Sequence, residues 1–427
     1  MTLTSARMAD ASAQRVPFAR TPMSPAAVEA VSDVLRSGWV TTGPQVAAFE
    51  QEFAASVSTR HAVAVSSCTA AIELALRAMR LPAGAPVLSS TVTFCGAVNA
   101  ILHAGLRPVL VDIHPHTLMP DADSVAAAVR RAGRPSAAVV LHYAGHPAPV
   151  TAIAEAAGLP LTRIAEDAAH AVGTYVADTP VGGISAASCF SFYATKNLPI
   201  GEGGMVTTDD DAVAAFVRRC RLHGMSRDAW KRFLPGSNWR YTVEDAGLKA
   251  NMTDVQAAIG RAQLREVPRW QEQREALATR YDERLADIPG IVRPARPDNG
   301  KHAWHLYVVR VTPEFGLTRD RLMVRLAEVG IDCSVHFIPM HQQPYLRRLL
   351  GADAAAMHFP VAEAMFQQYV SLPVYPDLTE AEVDRVSSEI GDARRRSAAP
   401  TGVPHNGSPT SGHATERGNG NDSNPGP

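Results

Sequence analysis

Short, almost wholly apolar runs alternate with helical-period segments through the first part of the chain. HAVAVSS (His61–Ser67) reads as a strand, and TAAIELALRAM after it places its apolar positions on one helical face. PVLSSTVTF is a second strand and CGAVNAILHAG a second helix. RPVLVDI, SVAAAVRRAG, SAAVVLHYAG, a helix around VTAIAEAAG, and LTRIAED continue the alternation. Strands that are apolar on both faces, each followed by a helix, predict an α/β fold whose parallel sheet is covered on both sides. Ligands of such sheets bind at the carboxyl ends of the strands.

The rhythm changes after Leu264. A long polar helix is predicted over Val267–Ala286, followed by the Pro-rich IPGIVRPARPDNG. A strand (HAWHLYVVRV), a helix (RDRLMVRLAEVG), a strand (IDCSVHFIPM) and a helix near Glu380–Arg394 then predict a smaller C-terminal α+β domain. The expected organisation is a loose leader over 1–14, a large α/β domain over 15–265, a small domain over 266–393 and a disordered tail over 394–427. The tail is rich in Gly, Pro, Ser and Asn, and buries too little to offset its ordering entropy.

Composition narrows the function. The 427 residues are 46% hydrophobic, which suits a substantial core. Lys and Arg number 41 against 42 Asp and Glu, so no net charge argues for a nucleic-acid partner. The five cysteines include no CxxC pair, which points away from a disulfide framework or a structural metal. No apolar stretch is long and uncharged enough to span a bilayer, and no secretory signal is visible at the start. A cytoplasmic protein without metal or membrane is expected.

Four places at predicted strand ends carry candidate chemistry. In VSSCTAAIELAL a strand delivers Ser66 and Ser67 to a helix start with Cys68, Thr69 and Ala70 in its first turn. Free amides and the helix dipole make such an end an anion site, and small side chains let a phosphate approach; a simple N-cap is the structural alternative. Phe94 ends STVTF, where it could stack on a flat ligand or pack the core. In IAEDAAHAVGT, Glu166 and Asp167 leave a strand, with His170 close behind. A carboxylate there suits a cationic partner such as a pyridinium nitrogen, or merely a helix dipole. Ser191 and Lys196 lie in CFSFYATKNLPIGEGG, where burial would lower the lysine pKa and free its amine for Schiff-base chemistry. Taken alone, each has an ordinary structural reading. Together, and in this order, they supply a phosphate anchor, a ring platform, a counter-charge and an amine, the parts of a pyridoxal-phosphate site.

SGWVTTGPQVAAFEQEF, VSSCTAAIELAL, EDAAHAVGT, CFSFYATKN with GEGGM, KANMTDVQAAIGRAQL, AWHLYVV and VHFIPMHQQPY follow one another as in the sugar aminotransferases of the DegT/StrS type, which the chain resembles from about Thr21 to Arg394. The resemblance implies a fold-type-I pyridoxal-phosphate enzyme: a mostly parallel sheet between helices with a smaller C-terminal domain. It implies that Lys196 forms the Schiff base with pyridoxal 5'-phosphate and moves protons. Asp167 would partner the ring nitrogen, Phe94 stack on the ring, and His170 lie near its hydroxyl. Ser191 and the backbone of Cys68, Thr69 and Ala70 would bind the phosphate. Asn251 would reach the neighbouring subunit's cofactor, which implies a homodimer with shared sites.

The implied reaction is ping-pong transamination through pyridoxamine 5'-phosphate, from an amino-acid donor, expected to be glutamate, to a keto-sugar acceptor. An NDP-4-keto-6-deoxyhexose is the first expectation; a 3-keto sugar or an aminocyclitol ketone is the alternative. Arg227, Lys231 and Arg232 are candidates to hold the diphosphate, and Trp39 and His336 to line the sugar site. A dehydratase of the same family carries a histidine at the lysine position, which Lys196 argues against. A non-catalytic regulator would not need the intact lysine, aspartate and phosphate cup.

Overall fold

Residues 15–226, 241–351 and 357–398 are described by the structure, a computed structural model of the chain. The leader over 1–14 and the tail beyond 398 lie outside the described residues.

Among the described residues the chain begins its central sheet with β1 (His61–Val65), β2 (Pro86–Ser90), β3 (Arg107–Val111), β4 (Ala137–Leu141) and β5 (Ile164–Asp167). Two short strands, β6 (Tyr175–Val176) and β7 (Thr179–Pro180), form a separate ladder with β11 (Gly300–Lys301). The main sheet resumes with β8 (Ala187–Ser191) and β9 (Gly204–Thr208), giving the order β1-β9-β8-β5-β4-β2-β3. Neighbours from β8 to β3 run parallel, whereas β9 is antiparallel to both β1 and β8. The expected parallel sheet is thus present with one antiparallel insertion, made when the chain turns back after Lys196.

All five residues of β4 (AAVVL) are buried, as a central strand covered by helices requires. The helix Cys68–Ala78 covers one face with Ala71, Ile72, Leu74, Ala75 and Leu76. Ser67 caps it, its Oγ accepting from the Ala70 amide at 3.2 Å.

The C-terminal part has the small antiparallel sheet β10 (Ile291–Val292), β12 (Tyr307–Val311) and β13 (Tyr369–Leu372), in the order β10-β12-β13. Helices Val267–Leu285, Arg319–Glu328 and Glu380–Ala398 pack on it around Tyr281, Leu322 and Ile390. The last helix runs past the predicted end at Arg394, and Ser397 Oγ donates to Phe315 O at 3.0 Å. Val16 also lies in this core and bridges Ile331, so the start of the described chain packs with the C-terminal part. A second core joins Leu306, Val308 and Tyr369 to Leu110 and Val140 of the large part.

Three predicted strands are shorter than expected. PVLSSTVTF is extended only to Ser90. HAWHLYVVRV becomes a strand only at Tyr307, because its first half spends its backbone groups elsewhere. Ala303 N–H donates to Gly145 O, Leu306 N–H to Ala144 O, and Trp304 O accepts from Arg274. IDCSVHFIPM contributes two isolated bridges among the described residues, Ile331 to Val16 and Ser334 to Ser371. These irregular stretches bring His305 and His336 to the cavity described next.

Candidate active site

A cavity of about 500 Å³ opens where β4, β5 and β8 end, against the start of helix Cys68–Ala78. Cys68, Thr69, Phe94, Asp167, His170, Ser191, Lys196 and His336 all line it. Eight positions singled out from the sequence therefore meet in one space, contributed by segments more than two hundred residues apart.

Lys196 closes a turn by donating its amide to Tyr193 O at 2.9 Å. Desolvation lowers its pKa to about 8, against the opposing pull of Asp167 and Cys68. Asp167 is buried at the end of β5, its Oδ1 accepting from Ala169 N–H at 3.1 Å and the Cys68 thiol at 3.7 Å. Burial raises its pKa, and among the described residues no ion pair compensates the charge.

His170 is buried and its Nδ1 accepts from Ala144 N–H at 3.2 Å, which leaves the proton of the neutral ring on Nε2. Burial, then Lys196 and His336, hold its pKa well below the usual imidazole range. His336 lies between Phe18 and Ser371, with Nδ1 2.9 Å from Ser371 Oγ, and burial lowers its pKa to about 4. Ser191 Oγ accepts from Tyr193 N–H at 3.4 Å, so its own hydrogen remains available to an anion.

The helix start is shaped by two glycines. A Cβ on Gly96 would approach Thr69 Oγ1 to 2.6 Å, and one on Gly204 would approach the Ser67 carbonyl oxygen to 2.6 Å. The amides of Cys68 and Thr69 have no carbonyl one turn earlier in the helix to bind. Phe94, the N-cap of helix Cys95–His103, is 58% exposed and holds its ring 5.8 Å from that of Phe337.

The remaining expected residues fall elsewhere. Ala70 does not line the cavity, because its amide is taken by the Ser67 cap. Asn251 lies outside it, its Nδ2 donating to Thr42 Oγ1 at 2.7 Å and its Oδ1 accepting from Lys249. Trp39 is in the same neighbourhood, donating from Nε1 to Thr42 O at 3.2 Å. Arg227, Lys231 and Arg232 lie outside the described residues.

His305 and Arg274 were not singled out and both line the cavity. His305 Nε2 is 3.5 Å from Lys196 Nζ. Its signal was present as a histidine inside the aromatic AWHLYVV, which read as core strand. Arg274 is buried in the long helix, its Nη1 donating to Trp304 O at 2.9 Å and Val374 O at 3.0 Å. Glu166 faces away from the cavity, with His142 Nε2 at 2.8 Å and the hydroxyls of Ser185 and Ser188. Among the described residues no three His, Cys, Asp or Glu side chains gather to hold a metal, and no helix is long and apolar enough to cross a membrane.

The DegT/DnrJ/EryC1/StrS aminotransferase family matches residues 23–391. The spore coat polysaccharide biosynthesis protein SpsC of Bacillus subtilis (strain 168) is 43% identical over 367 residues, 86% of this chain and 93% of that protein. The putative sugar aminotransferase Spr1654 of Streptococcus pneumoniae superposes in its PMP form with a TM-score of 0.81 at 28% identity, covering 90% of this chain and all of that one. Its PLP form gives a TM-score of 0.80 at 27% identity, again over 90% of this chain and 100% of that one. DesV of S. venezuelae, solved in complex with a ketimine intermediate, gives 0.79 at 32% identity over 90% of this chain and 99% of that one.

Proposed function

The chain belongs to the DegT/DnrJ/EryC1/StrS aminotransferase family, and on that premise we propose that it moves an amino group from L-glutamate to a nucleotide-linked 4-keto-6-deoxy sugar in the cavity around Lys196. It is a sugar aminotransferase dependent on pyridoxal 5'-phosphate. The observation that carries the assignment of roles is that the Lys196 amine and the buried Asp167 carboxylate line one cavity with an open helix N-terminus.

The residues fit that cofactor. Asp167 is a buried acid without an ion pair among the described residues, which suits a protonated ring nitrogen. Gly96 and Gly204 keep Cβ atoms away from the helix start, where the amides of Cys68 and Thr69 and the Ser191 hydroxyl would hold a phosphate. Phe94 would cover the ring. When bound, the cofactor supplies an electron sink for cleavage of the bond to the donor's Cα hydrogen.

The protein's part is placement and proton handling. Lys196 Nζ would attach the cofactor, be freed when the donor's amine displaces it, take the proton from the donor Cα, and return it on the other side of the transferred nitrogen. Its lowered pKa, about 8, keeps a useful share of neutral amine near neutral pH. Asp167 would hold the ring-nitrogen proton through both halves. Both substrates then meet one fixed amine, which supplies the proximity.

Asn251 and Trp39 sit together on the Thr42 edge, outside this cavity. That position supports a homodimer in which Asn251 serves the partner's cofactor. The family and the reducing state implied by the unpaired cysteines support a cytoplasmic enzyme.

The test is a product assay with purified holoenzyme, glutamate as donor, and a panel of 4-keto and 3-keto nucleotide sugars. Amination of a 4-keto sugar is the expected result. Exclusive amination at C3, or of a cyclitol ketone, would replace the acceptor and keep the enzyme class. No bound cofactor after supplementation would sink the reading altogether.

A further inference from the structure

We propose that His305 is a positioning residue for Lys196, presenting Nε2 as a fixed hydrogen-bond acceptor that aims the lysine amine. Asn197, the next residue in the chain, holds the ring from its other side. Its Nδ2 donates to Ala303 O at 2.7 Å and Val172 O at 3.4 Å. With both amide hydrogens directed there, the oxygen is the atom that faces His305 Nδ1, at 3.2 Å. An amide oxygen only accepts, so Nδ1 must carry the ring proton. A neutral imidazole with its proton on Nδ1 offers a lone pair at Nε2, the atom 3.5 Å from Lys196 Nζ.

The surroundings keep that ring neutral. His305 is buried, and the charged or titratable groups facing it are Lys196, His170, Arg274 and His336. None is an acid, and together with burial they push its pKa well below the usual imidazole range. Lys196 keeps its proton up to about 8. With its proton held on Nδ1 by Asn197, the ring has none to give the lysine through Nε2, and orientation is its role.

Orientation matters because a lysine has four rotatable side-chain bonds and must serve two carbon atoms in turn. An amine that swings away after release loses proximity it must regain in every half-reaction. The Asn197–His305 pair also keys the lysine turn to the segment before β12, so the amine and the far wall of the cavity share one reference.

The inference rests on Lys196 being the reactive amine. Its test compares His305→Gln, whose amide reaches the Nε2 position, with His305→Asn, whose amide reaches only the Nδ1 position. Single-turnover rate constants are measured on the holoenzyme for glutamate alone and for keto sugar alone. His305→Asn should slow both halves on the order of a hundredfold with substrate affinities little changed. His305→Gln should recover most of that loss. The pH midpoint of the visible cofactor band should fall in His305→Asn, since a lost acceptor destabilises the protonated lysine nitrogen, and return in His305→Gln. Equal defects in the two variants overturn the proposal, as does an unchanged midpoint in His305→Asn. NMR of wild-type holoenzyme with isotope-labelled histidine needs no variant to fold: a proton on Nε2 of His305 also overturns it. If instead Lys196→Ala turned over, the proposed function itself would fail, an outcome distinct from any of these.

Discussion

The Cys68 thiol meets the Asp167 carboxylate inside the cavity, Sγ to Oδ1 at 3.7 Å, and lies 3.1 Å from the Cys189 carbonyl. A thiol is a weak donor, so this contact offsets little of the cost of burying the charge. Burial accordingly raises the Asp167 pKa above its ordinary value of 3.8. An acid whose folded pKa is raised favours folding at low pH, and that contribution is lost as pH rises through the folded pKa. At neutral pH the apoenzyme therefore carries a buried carboxylate whose burial cost the Ala169 amide and Lys196 offset only in part. Asp167→Asn should raise the melting temperature of the apoprotein at neutral pH, with the gain shrinking toward pH 3.8. The same variant should lose cofactor and turnover. A melting temperature that falls at neutral pH would show that the carboxylate is already compensated.

Lys196 gives the complementary case. Its pKa falls from 10.5 to about 8, mainly through desolvation. A base with a lowered folded pKa is destabilising below that pKa, and the cost disappears as pH rises toward the unfolded value. Lys196→Met should abolish transamination while stabilising the apoprotein near neutral pH. The ceiling is about 3 kcal/mol, and the half-buried side chain keeps the gain below it. Denaturant unfolding of both apoproteins near neutral pH and near pH 10.5 checks the sign, since the gain should fade at the higher pH.

Much of this site was legible because its parts lie at strand ends. Asp167 is the last of the four buried residues of β5, and Lys196 follows β8, so the alternation of strand and helix placed both at one edge of the sheet. His305 was hidden for the opposite reason. AWHLY has the apolar and aromatic spacing of a strand, and nothing local reveals that Gly145, Ala144 and Arg274 take its backbone groups. The return strand β9 was equally hidden, because GEGGMVTT follows a turn whose direction is set by distant pairing with β1. At Ala70 the Ser67 side chain and an incoming anion compete for one amide, and sequence alone does not rank them.

The glycines after Lys196 differ in kind. Gly201 has φ +96° with no atom within 4 Å of a built Cβ, so its requirement is conformational. A Cβ on Gly204 would meet backbone, with Ser67 C at 2.5 Å and Cys68 N at 2.7 Å. Gly201→Ala should cost about 1 kcal/mol of stability and leave cofactor affinity unchanged. Gly204→Ala should cost about 1–3 kcal/mol and weaken cofactor binding as well, because the helix start must move. Denaturant unfolding together with cofactor titration separates them. Equal cofactor affinity in the two variants would mean that the helix start does not hold the phosphate.

Phe94 separates binding from folding most cleanly. It is 58% exposed, caps its helix without a side-chain hydrogen bond, and among the described residues touches one other aromatic ring, Phe337 at 5.8 Å. A side chain so exposed contributes little to the fold, so Phe94→Ala should change stability by within about 0.5 kcal/mol. A ring stacked on a flat ligand contributes about 0.5–1.5 kcal/mol beyond area burial. Cofactor affinity should therefore fall by roughly two- to twelvefold at that stacking energy alone, with Phe94→Tyr restoring it. Apoprotein unfolding and cofactor titration read the two quantities independently. If Phe94→Ala lowered stability while affinity held, the ring would be a packing residue against Phe337, and the platform for the cofactor would have to be sought elsewhere in the cavity.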